Sequence, residues 1–165
     1  MRIQHILVPT DFSAGSAEAV RYAFDLAESL GATLHVLHVL ENPFAPGAFM
    51  EMYSPPPPEY FLDIERQAEE KLRATLTLDQ AARVPAVLTT RLGVAAMEIL
   101  ARLEEEPRID LVVMATHGRG GVARLLMGSV TDKVIRSATC PVLTIREHPQ
   151  PAAETAPARS AGVPA

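Results

Sequence analysis

The stretch Ala115–Ser129, ATHGRGGVARLLMGS, contains the residue types that bind an anion. It follows an apolar run that ends in VVM and precedes a helical pattern. A connection between a strand and a helix needs only about 2–6 residues. This stretch is longer, with three glycines within four positions, two arginines and a separate Gly-Ser pair. The surplus predicts a binding loop rather than a plain connection.

Three known phosphate-binding patterns can be compared with this stretch. The Walker pattern GxxxxGK[ST] is absent, because no lysine lies in the loop and Lys133 falls inside the following helix. Residues Gly118–Ala123 match the letters of the dinucleotide fingerprint. That fingerprint belongs to the first strand–helix turn and opens the helix directly, and neither condition holds here. We therefore interpret this second match as coincidental.

The third pattern is a small residue, Ala115, then Gly118 after two intervening residues, and then Gly128-Ser129 after nine more intervening residues. Glycine lets backbone N–H groups approach an anion without a Cβ in the way. Ser129 is a predicted helix N-cap, and its hydroxyl can also bond to phosphate. The N–H groups of Val130 and Thr131 then point to the same place, at the positive end of the helix dipole. This spacing predicts a phosphate-binding site.

Short apolar runs alternate with amphipathic stretches along the chain, which predicts an α/β fold with a parallel sheet and helices on both faces. The first predicted helix starts at Ser13 or Ser16, buries residues such as Val20 and Phe24, and ends at Gly31. The predicted strands are Ile3–Val8, bounded by Pro9, then Leu34–Leu40, Ala86–Thr90, Ile109–Ala115 and Pro141–Ile145. The other predicted helices are Glu59–Ala82, Ala95–Glu105 and Val130–Ala138.

Ligands of such sheets bind beyond the carboxyl ends of the strands, where the strand order reverses. The candidate residues therefore follow the strands: Pro9, Thr10 and Asp11 after the first, Val39 to Glu41 after the second, and the quoted stretch after the fourth. Two segments lie outside this pattern. Asn42–Pro58, which ends in SPPPP, predicts a long exposed loop. Residues 147–165 are rich in Pro and Ala and predict a disordered tail, leaving one domain over residues 1–146.

Composition narrows the class of protein. The chain has 165 residues, of which 48% are hydrophobic and 21% charged, as expected for one globular domain. No apolar run approaches the roughly 18 residues of a membrane helix, and the start MRIQHILVPTDF does not resemble a signal peptide, so we expect a cytoplasmic protein that does not bind membranes. A net charge of −5 without a basic cluster argues against nucleic-acid binding. The single cysteine, Cys140, excludes an internal disulfide and indicates a buried structural thiol.

Four groups of residues occur in a specific order and spacing: ILVPTDFS near the start, LHVL in the second strand, THGRGG and LLMGSVTDKVI around the loop, and CPVL at the end. In these residues the chain, from residue 1 to about 146, resembles the universal stress protein family. The resemblance implies an open five-stranded Rossmann-like α/β fold with strand order 3-2-1-4-5. It also implies a homodimer joined through the last strands. One branch of the family binds ATP through a glycine pattern like the one above, whereas another branch lacks that pattern and does not bind ATP.

The resemblance also implies a role for each matching position. Asp11 and Val39 would lie near the adenine, and Pro9 and Thr10 would shape the adjacent turn. Next to the ribose and α-phosphate we expect Met114, Ala115, His117 and Gly118. The β- and γ-phosphates would contact Gly128, Ser129, Val130 and Thr131, with Arg119 and Arg124 at the rim and Mg²⁺ accompanying the ATP. The family pattern begins with glycine where this chain has Ala115, whose methyl group could hinder close approach of the ligand.

Several of these residues have a second interpretation. Asp11 could instead cap the first helix. His117 and the two loop arginines could be ordinary solvated residues, and Ser129 is a helix cap in either case. His35 and His38 lie three apart in a strand, hence on opposite faces, which disfavours a shared metal. The run Glu104–Glu106 is interpreted as a solvated helix end, and Gly93 as a turn glycine.

The last predicted strand, Pro141–Ile145, would be a mostly apolar sheet edge, which favours pairing with a second copy; the alternative is an edge guarded by Arg146 and Glu147. The leading hypothesis is a homodimeric, ATP-binding stress-response regulatory protein. A slow ATPase or phosphotransferase is the first alternative, for which Asp11, His117 and Asp132 are the candidate groups. A dimeric adaptor that binds no nucleotide is the second, and Ala115 is its best argument.

Overall fold

The computed structural model describes residues 2–41, 58–105, 108–116 and 128–146. In these ranges strands and helices follow one another, with one pair of consecutive helices. The strands are β1 (His5–Thr10), β2 (Thr33–Leu40), β3 (Ala86–Leu92), β4 (Leu111–Ala115) and β5 (Val142–Ile145). The helices are α1 (Ala14–Leu30), α2 (Pro58–Arg73), α3 (Leu78–Arg83), α4 (Ala95–Glu104) and α5 (Ser129–Ser137).

The five strands form one parallel sheet in the order β3-β2-β1-β4-β5, which confirms the predicted fold class. From β1 the chain proceeds to β2 and β3 on one side and then crosses to β4 and β5 on the other. The strand order therefore reverses between β1 and β4, and the cleft beyond their carboxyl ends is where such sheets bind ligands.

Two apolar cores lie on opposite faces of the sheet. Alternate strand residues such as Ile6, Val36 and Val113 pack with α1 and α2, while the intervening residues such as Leu7 and Met114 pack with α4 and α5. This alternation follows from the two-residue period of a strand. Because both faces of the central strands β1 and β4 are largely buried, these strands consist of almost continuous apolar runs, as is typical of parallel sheets.

Helix α1 begins and ends where the sequence predicts. Ser13 is its N-cap and accepts a hydrogen bond from the Ser16 N–H. Gly31 is its C-cap at φ 64°, a left-handed conformation that glycine adopts without steric cost. The apolar repeat Val20, Phe24, Ala27 and Leu30 of this helix is buried except for Leu30, which is almost half exposed in the last turn.

Strand β1 is shifted two residues toward the C-terminus from the predicted Ile3–Val8, since it begins at His5, includes Pro9 and ends at Thr10. The Gln4 carbonyl accepts from Thr33 of β2, and the His5 carbonyl accepts from Asp110 beside β4. Alternate residues face the same neighbour, so Pro9, four residues after His5, faces β4. The register with β4 covers Ile6 and Leu7 and stops before Pro9. Proline is therefore accommodated in this central strand where the ladder with β4 ends.

The predicted helix Glu59–Ala82 is two helices, α2 and α3. Thr77 starts a second helix through a capping box: its side chain accepts from the Gln80 N–H, and the Gln80 side chain accepts from the Thr77 N–H. A threonine followed three residues later by glutamine is a start signal that the longer apolar pattern obscured.

Several predictions lie outside the described residues. These are residues 42–57 of the predicted loop Asn42–Pro58, the predicted tail at residues 147–165, Glu106 of the predicted helix end, and His117, Gly118, Arg119 and Arg124. Pro58, predicted as the last residue of that loop, is instead the first residue of α2, where its fixed φ is compatible with a helix. Among the helices that are described, none has the length and apolar character needed to cross a membrane.

Candidate functional site

The cleft between β1 and β4 opens at Pro9. The ladder between the two strands ends before this residue, and proline has no N–H to continue it. The same register offset places Thr10 level with Ala115, the last residue of β4. The chain therefore leaves both strands side by side, with Asp11 following one and Thr116 the other.

The start of α5 is hydrogen-bonded directly to the end of β4. The Thr131 hydroxyl donates to the Ala115 carbonyl at 2.9 Å, and the Gly128 N–H donates to the Thr116 carbonyl at 2.8 Å. Thr116 in turn donates its N–H to Ile145 of β5 at 2.9 Å. These bonds place the amino end of α5 beside the cleft. The Thr131 side chain is buried and acts as a structural tie.

The N-cap of α5 is Gly128 rather than the predicted Ser129. Gly128 has extended geometry, with φ −58° and ψ 145°, and no side chain caps the helix. Ser129 is the first helical residue, and its side chain is exposed. The N–H groups of Ser129, Val130 and Thr131 have no acceptor within the helix, as in the first turn of any α-helix. This first turn carries a partial positive charge next to the cleft.

On the opposite side of the cleft, residues Asp11–Ser13 form a tight turn. The Asp11 carboxylate accepts from the Ser13 N–H at 3.0 Å and from the Ser13 hydroxyl at 2.6 Å, both at Oδ1. Since Ser13 is the N-cap of α1, Asp11 does not cap the helix itself but orients the residue that does. Phe12 between them has φ 63°, the one positive φ of a non-glycine residue in the described chain. A bulky side chain in this conformation costs about 1–3 kcal/mol.

A chain of hydroxyl groups secures the base of the turn. Thr10 Oγ1 accepts from the Phe12 N–H at 3.1 Å and lies 3.1 Å from Ser16 Oγ. Ser16 Oγ donates to the Ser13 carbonyl at 3.0 Å. Ser16 thus uses its only proton on Ser13, so Thr10 is the donor to Ser16. Both Thr10 and Ser16 are buried, so these hydrogen bonds are shielded from water.

His38 and Phe12 are residues of this region that the sequence analysis did not assign to the site. His38 Nδ1 lies 2.8 Å from the Thr10 carbonyl, and because a carbonyl only accepts, Nδ1 carries the proton. The Phe12 ring lies against the His38 ring at a centroid distance of 4.2 Å. The run TDFS contained a usable signal, since an Asp two residues before a Ser favours a side-chain-capped turn. The stacking partner was not visible in the sequence.

The remaining predicted site residues differ in exposure. Val39 is half-buried and packs against the core on the α4–α5 face, where Met114 is buried. Ala115 belongs to the opposite core, on the α1 face, and is nearly buried. Any contact of Met114 or Ala115 with a ligand would therefore go mainly through the backbone at the end of β4. The contacts predicted for these residues remain predictions.

A second polar cluster lies away from the cleft, between β2 and α4. Arg102 Nη2 lies 3.3 Å from His35 Nδ1, and His35 Nε2 lies 3.1 Å from His5 Nδ1. Arginine only donates, so His35 Nδ1 is unprotonated and Nε2 donates to His5. Burial, with a smaller effect of the nearby Arg102 charge, lowers the pKa of His35 to about 4. This arrangement holds His35 neutral.

Glu105 completes the second cluster. Within the run predicted as a solvated helix end, Glu104 is exposed as expected, whereas the partly exposed Glu105 is also bound by two arginines. Both of its oxygens accept from Arg91 Nη2 at 2.6 Å, and Oε2 also accepts from Arg102 at 3.2 Å. The hydrogen bond from Arg91 is the main cause of the lowered pKa of the Glu105 carboxyl. Because the arginines come from β3 and α4, the cluster joins these elements and has a structural function.

Acidic residues near the cleft are engaged within the protein. Asp11 is bonded to Ser13, and Asp132 pairs with Arg136 at 2.9 Å, a hydrogen bond that lowers the pKa of Asp132. Within the described ranges no group of three or more His, Cys, Asp or Glu side chains could hold a metal ion. Magnesium in nucleotide sites commonly needs only one or two carboxylates, because phosphates and waters supply the other ligands.

A doubly wound parallel sheet with a helix amino end at its switch point defines a class of α/β domains that bind ligands beyond the carboxyl edge. Comparison with known proteins identifies the family. The model of the universal stress protein family matches residues 2–146. The chain therefore belongs to the universal stress protein family. It is 34% identical over 146 residues to universal stress protein A homolog 1 of Coxiella burnetii, covering 88% of this chain and 97% of that protein.

Solved structures of the family share the fold. Universal stress protein UspA from Lactobacillus plantarum has a TM-score of 0.73 at 25% identity, covering 88% of this chain and 99% of the other. A universal stress protein from Archaeoglobus fulgidus, solved in complex with dAMP, has a TM-score of 0.59 at 21% identity, over 88% and 99% of the two chains. A further one, in complex with cAMP, has a TM-score of 0.58 at 23% identity, over 88% and 98%.

Proposed function

We propose that this chain binds an adenine nucleotide, ATP with Mg²⁺, in the cleft between β1 and β4 and acts as a nucleotide-dependent regulatory protein of the stress response. The observation that carries the proposal is the position of the α5 amino end. Two hydrogen bonds to the end of β4, from Thr131 and Gly128, place its first-turn N–H groups at the switch point of the sheet. Such a helix end favours a phosphate group through both its N–H donors and its dipole.

Other features support the same ligand. Asp11 is a carboxylate held in one orientation across the cleft, and a carboxylate accepts from an amino group such as that of adenine. Gly118 and Arg119, which lie between β4 and α5 in the sequence and outside the described residues, are further proposed contacts of the nucleotide. The cAMP and dAMP complexes of structural neighbours support an adenine nucleotide as the class of ligand.

Magnesium would bind together with the nucleotide, mainly through its phosphates, rather than in a separate metal site of the protein. The residues that would hold the nucleotide are Asp11 and Val39 on one side and Gly128, Ser129, Val130 and Thr131 on the other. When bound, Mg²⁺ would neutralise part of the triphosphate charge. The backbone N–H groups of α5 would orient the phosphates, and Thr131 would keep the helix end in place through its bond to Ala115.

A pair of substitutions at Ser129 tests the proposal. Ser129→Pro removes the first free N–H of α5, and the helix tolerates it because proline is favoured at the first helical position. The preceding Gly128, at ψ 145°, already has the conformation that a following proline requires. Ser129→Ala removes only the hydroxyl. We expect Ser129→Pro to weaken ATP binding by about tenfold or more, and Ser129→Ala by less.

Calorimetric titration with ATP-Mg²⁺ and thermal melting measure these effects. For the unmodified protein, ATP at about 100 times its dissociation constant should add about 2.7 kcal/mol to the free energy of unfolding. The absence of any shift at millimolar ATP, with a folded protein, would contradict the proposal. Phosphate release well above buffer that Ser129→Pro abolishes would instead favour the ATPase alternative.

We also propose that the regulatory form is a homodimer joined along β5. This strand is at the sheet edge, and its four residues are half-buried. An edge strand with open backbone groups is a template for a second copy. A nucleotide can change what a partner protein recognises only if it binds two states of the dimer with different affinity.

A further inference from the structure

Phe12 has a backbone conformation that bulky residues avoid. It also follows Asp11, a residue proposed to contact the nucleotide. Its φ of 63° lies in the left-handed region, where glycine or asparagine is usual. A conformation of this kind persists only where the surroundings determine it, and such residues are concentrated at binding and catalytic sites. The contacts that keep Phe12 in this conformation therefore bear on the site.

Two contacts hold Phe12 in this conformation. Its N–H donates to Thr10 Oγ1 at 3.1 Å, and its ring stacks on His38 at 4.2 Å. His38 is itself fixed, because its Nδ1–H donates to the Thr10 carbonyl at 2.8 Å and its side chain is buried. The ring of Phe12 thus connects the turn after β1 to a rigid side chain of the neighbouring strand β2.

The turn at Phe12 determines the direction of Asp11. Asp11 precedes the left-handed residue, and its carboxylate accepts two bonds from Ser13, which follows it. If Phe12 took an ordinary negative φ, the chain between Asp11 and Ser13 would turn in another direction, and the Asp11 carboxylate would leave its present orientation relative to β1. The orientation of Asp11 thus depends on Phe12 as well as on Ser13.

We propose that Phe12, stacked on His38, is a positioning residue that directs Asp11 toward the purine ring and thereby sets a preference for 6-amino over 6-oxo purines. This inference rests on the proposed nucleotide site. A carboxylate accepts from a 6-amino group and is repelled by a 6-oxo group. A correctly placed Asp11 thus favours ATP over ITP, whereas a displaced one does not discriminate between them.

The test uses four variants of the full chain. Phe12→Ala removes the ring, and alanine is still strained at φ 63°. Phe12→Gly also removes the ring, but glycine adopts this φ without strain, so this variant folds even if the alanine variant does not. His38→Phe keeps an aromatic ring and removes the donor to Thr10. Tyr22→Ala, on the exposed surface of α1, is the control for the loss of an aromatic side chain.

Two readouts are measured on each variant: the ratio of the dissociation constants for ITP and ATP, and the hydrogen exchange of the Ser13 amide by NMR without nucleotide. We expect a ratio of roughly tenfold for the unmodified protein and the control, falling toward unity in the Phe12 and His38 variants. Exchange of the Ser13 amide should accelerate by about tenfold in the same variants.

Each outcome decides a separate point. Unchanged Ser13 exchange in both Phe12 variants overturns the positioning role, whether or not any nucleotide binds. Equal affinity of the unmodified protein for ATP and ITP overturns the assignment of Asp11 to the purine and leaves the proposed nucleotide site standing. If the unmodified protein binds neither nucleotide, the proposed function fails, while accelerated Ser13 exchange would still support the positioning of Asp11 by Phe12.

Discussion

Two histidines of β2, three residues apart, show how the partners of a buried side chain decide its role. His38 donates to the Thr10 carbonyl and supports the turn beside the cleft. His35 accepts from Arg102 and donates to His5, and it lies on the opposite face. The two-residue period of a strand predicts this separation onto opposite faces.

The stability of the protein should fall in mild acid because of His35. Its folded-state pKa of about 4 is below the ordinary 6.5, so between these values the unfolded chain binds a proton that the folded chain does not. The contribution of His35 is therefore complete above about pH 6.5 and is lost as the pH falls toward 4. At most it amounts to about 3 kcal/mol.

Urea unfolding of the protein and of His35→Gln at a series of pH values measures this effect. The groups that face His35 are His5 on β1 and Arg102 on α4, and its register neighbour on β3 is the apolar Val87. Glutamine can donate and accept at the same place without titrating. We expect a smaller loss of stability in His35→Gln than in the unmodified protein over this interval; parallel curves would contradict the prediction.

At the scale of elements, local sequence signals determined both ends of α1 and the start of α3. Ser13 and Gly31 delimit α1 as predicted, and the capping box at Thr77 starts α3. The start of α5 differs, because Gly128 rather than Ser129 occupies the cap position. The Gly128 N–H donates to the carbonyl of Thr116, twelve residues earlier in the chain, and this contact places the helix start.

Substitutions at Gly31 should isolate the cost of a left-handed residue. A Cβ at this position would meet no other atom within 4 Å, so any effect of Gly31→Ala comes from its φ of 64°. We expect a loss of about 1–2 kcal/mol of unfolding free energy. Gly31→Asn should lose clearly less, since asparagine adopts this conformation at helix ends. Denaturant titration measures the unfolding free energy of each variant. Equal losses for Gly31→Ala and Gly31→Asn would contradict the conformational explanation.

At the scale of the whole molecule, the proposed dimer would form at β5, one of the two edges of the sheet. On β5, the Pro141 and Ile145 carbonyls accept from Val112 and Thr116, so the odd-numbered residues face β4. The backbone groups of Val142 and Thr144 therefore point to the open edge. A second copy that pairs with β5 would use the Thr144 N–H.

Thr144→Pro should shift the proposed dimer to a monomer. Proline removes the outward N–H of this edge strand without removing a hydrogen bond to β4, so the fold is retained. Light scattering after size exclusion gives the mass, and circular dichroism monitors the fold. A folded variant that remains as dimeric as the unmodified protein would show that β5 backbone pairing does not join the subunits. Tyr22→Ala, on the exposed surface of α1 and outside β5, is the control for a surface substitution elsewhere in the protein.

The amino-acid sequence by itself determined the α/β class, the alternation of strands and helices, and the ends of α1. These features depend on local periodicity and on caps within a few residues. The order of the strands entered through the resemblance, and the paired strands confirm it. The site was predictable as a set of segments at strand ends, because carboxyl ends of parallel strands lie at one edge.

Only the tertiary structure decided how the site is held. Pro9 within β1, the Thr131 bond to Ala115 and the stacking of Phe12 on His38 each depend on a residue from another element. The same is true of the charge cluster around Glu105, which appeared in the sequence as a solvated run. Local patterns predict which residues lie in a strand or helix. They do not predict which distant side chain satisfies a buried polar group or stabilises a strained turn, because those partners become neighbours only when the sheet forms.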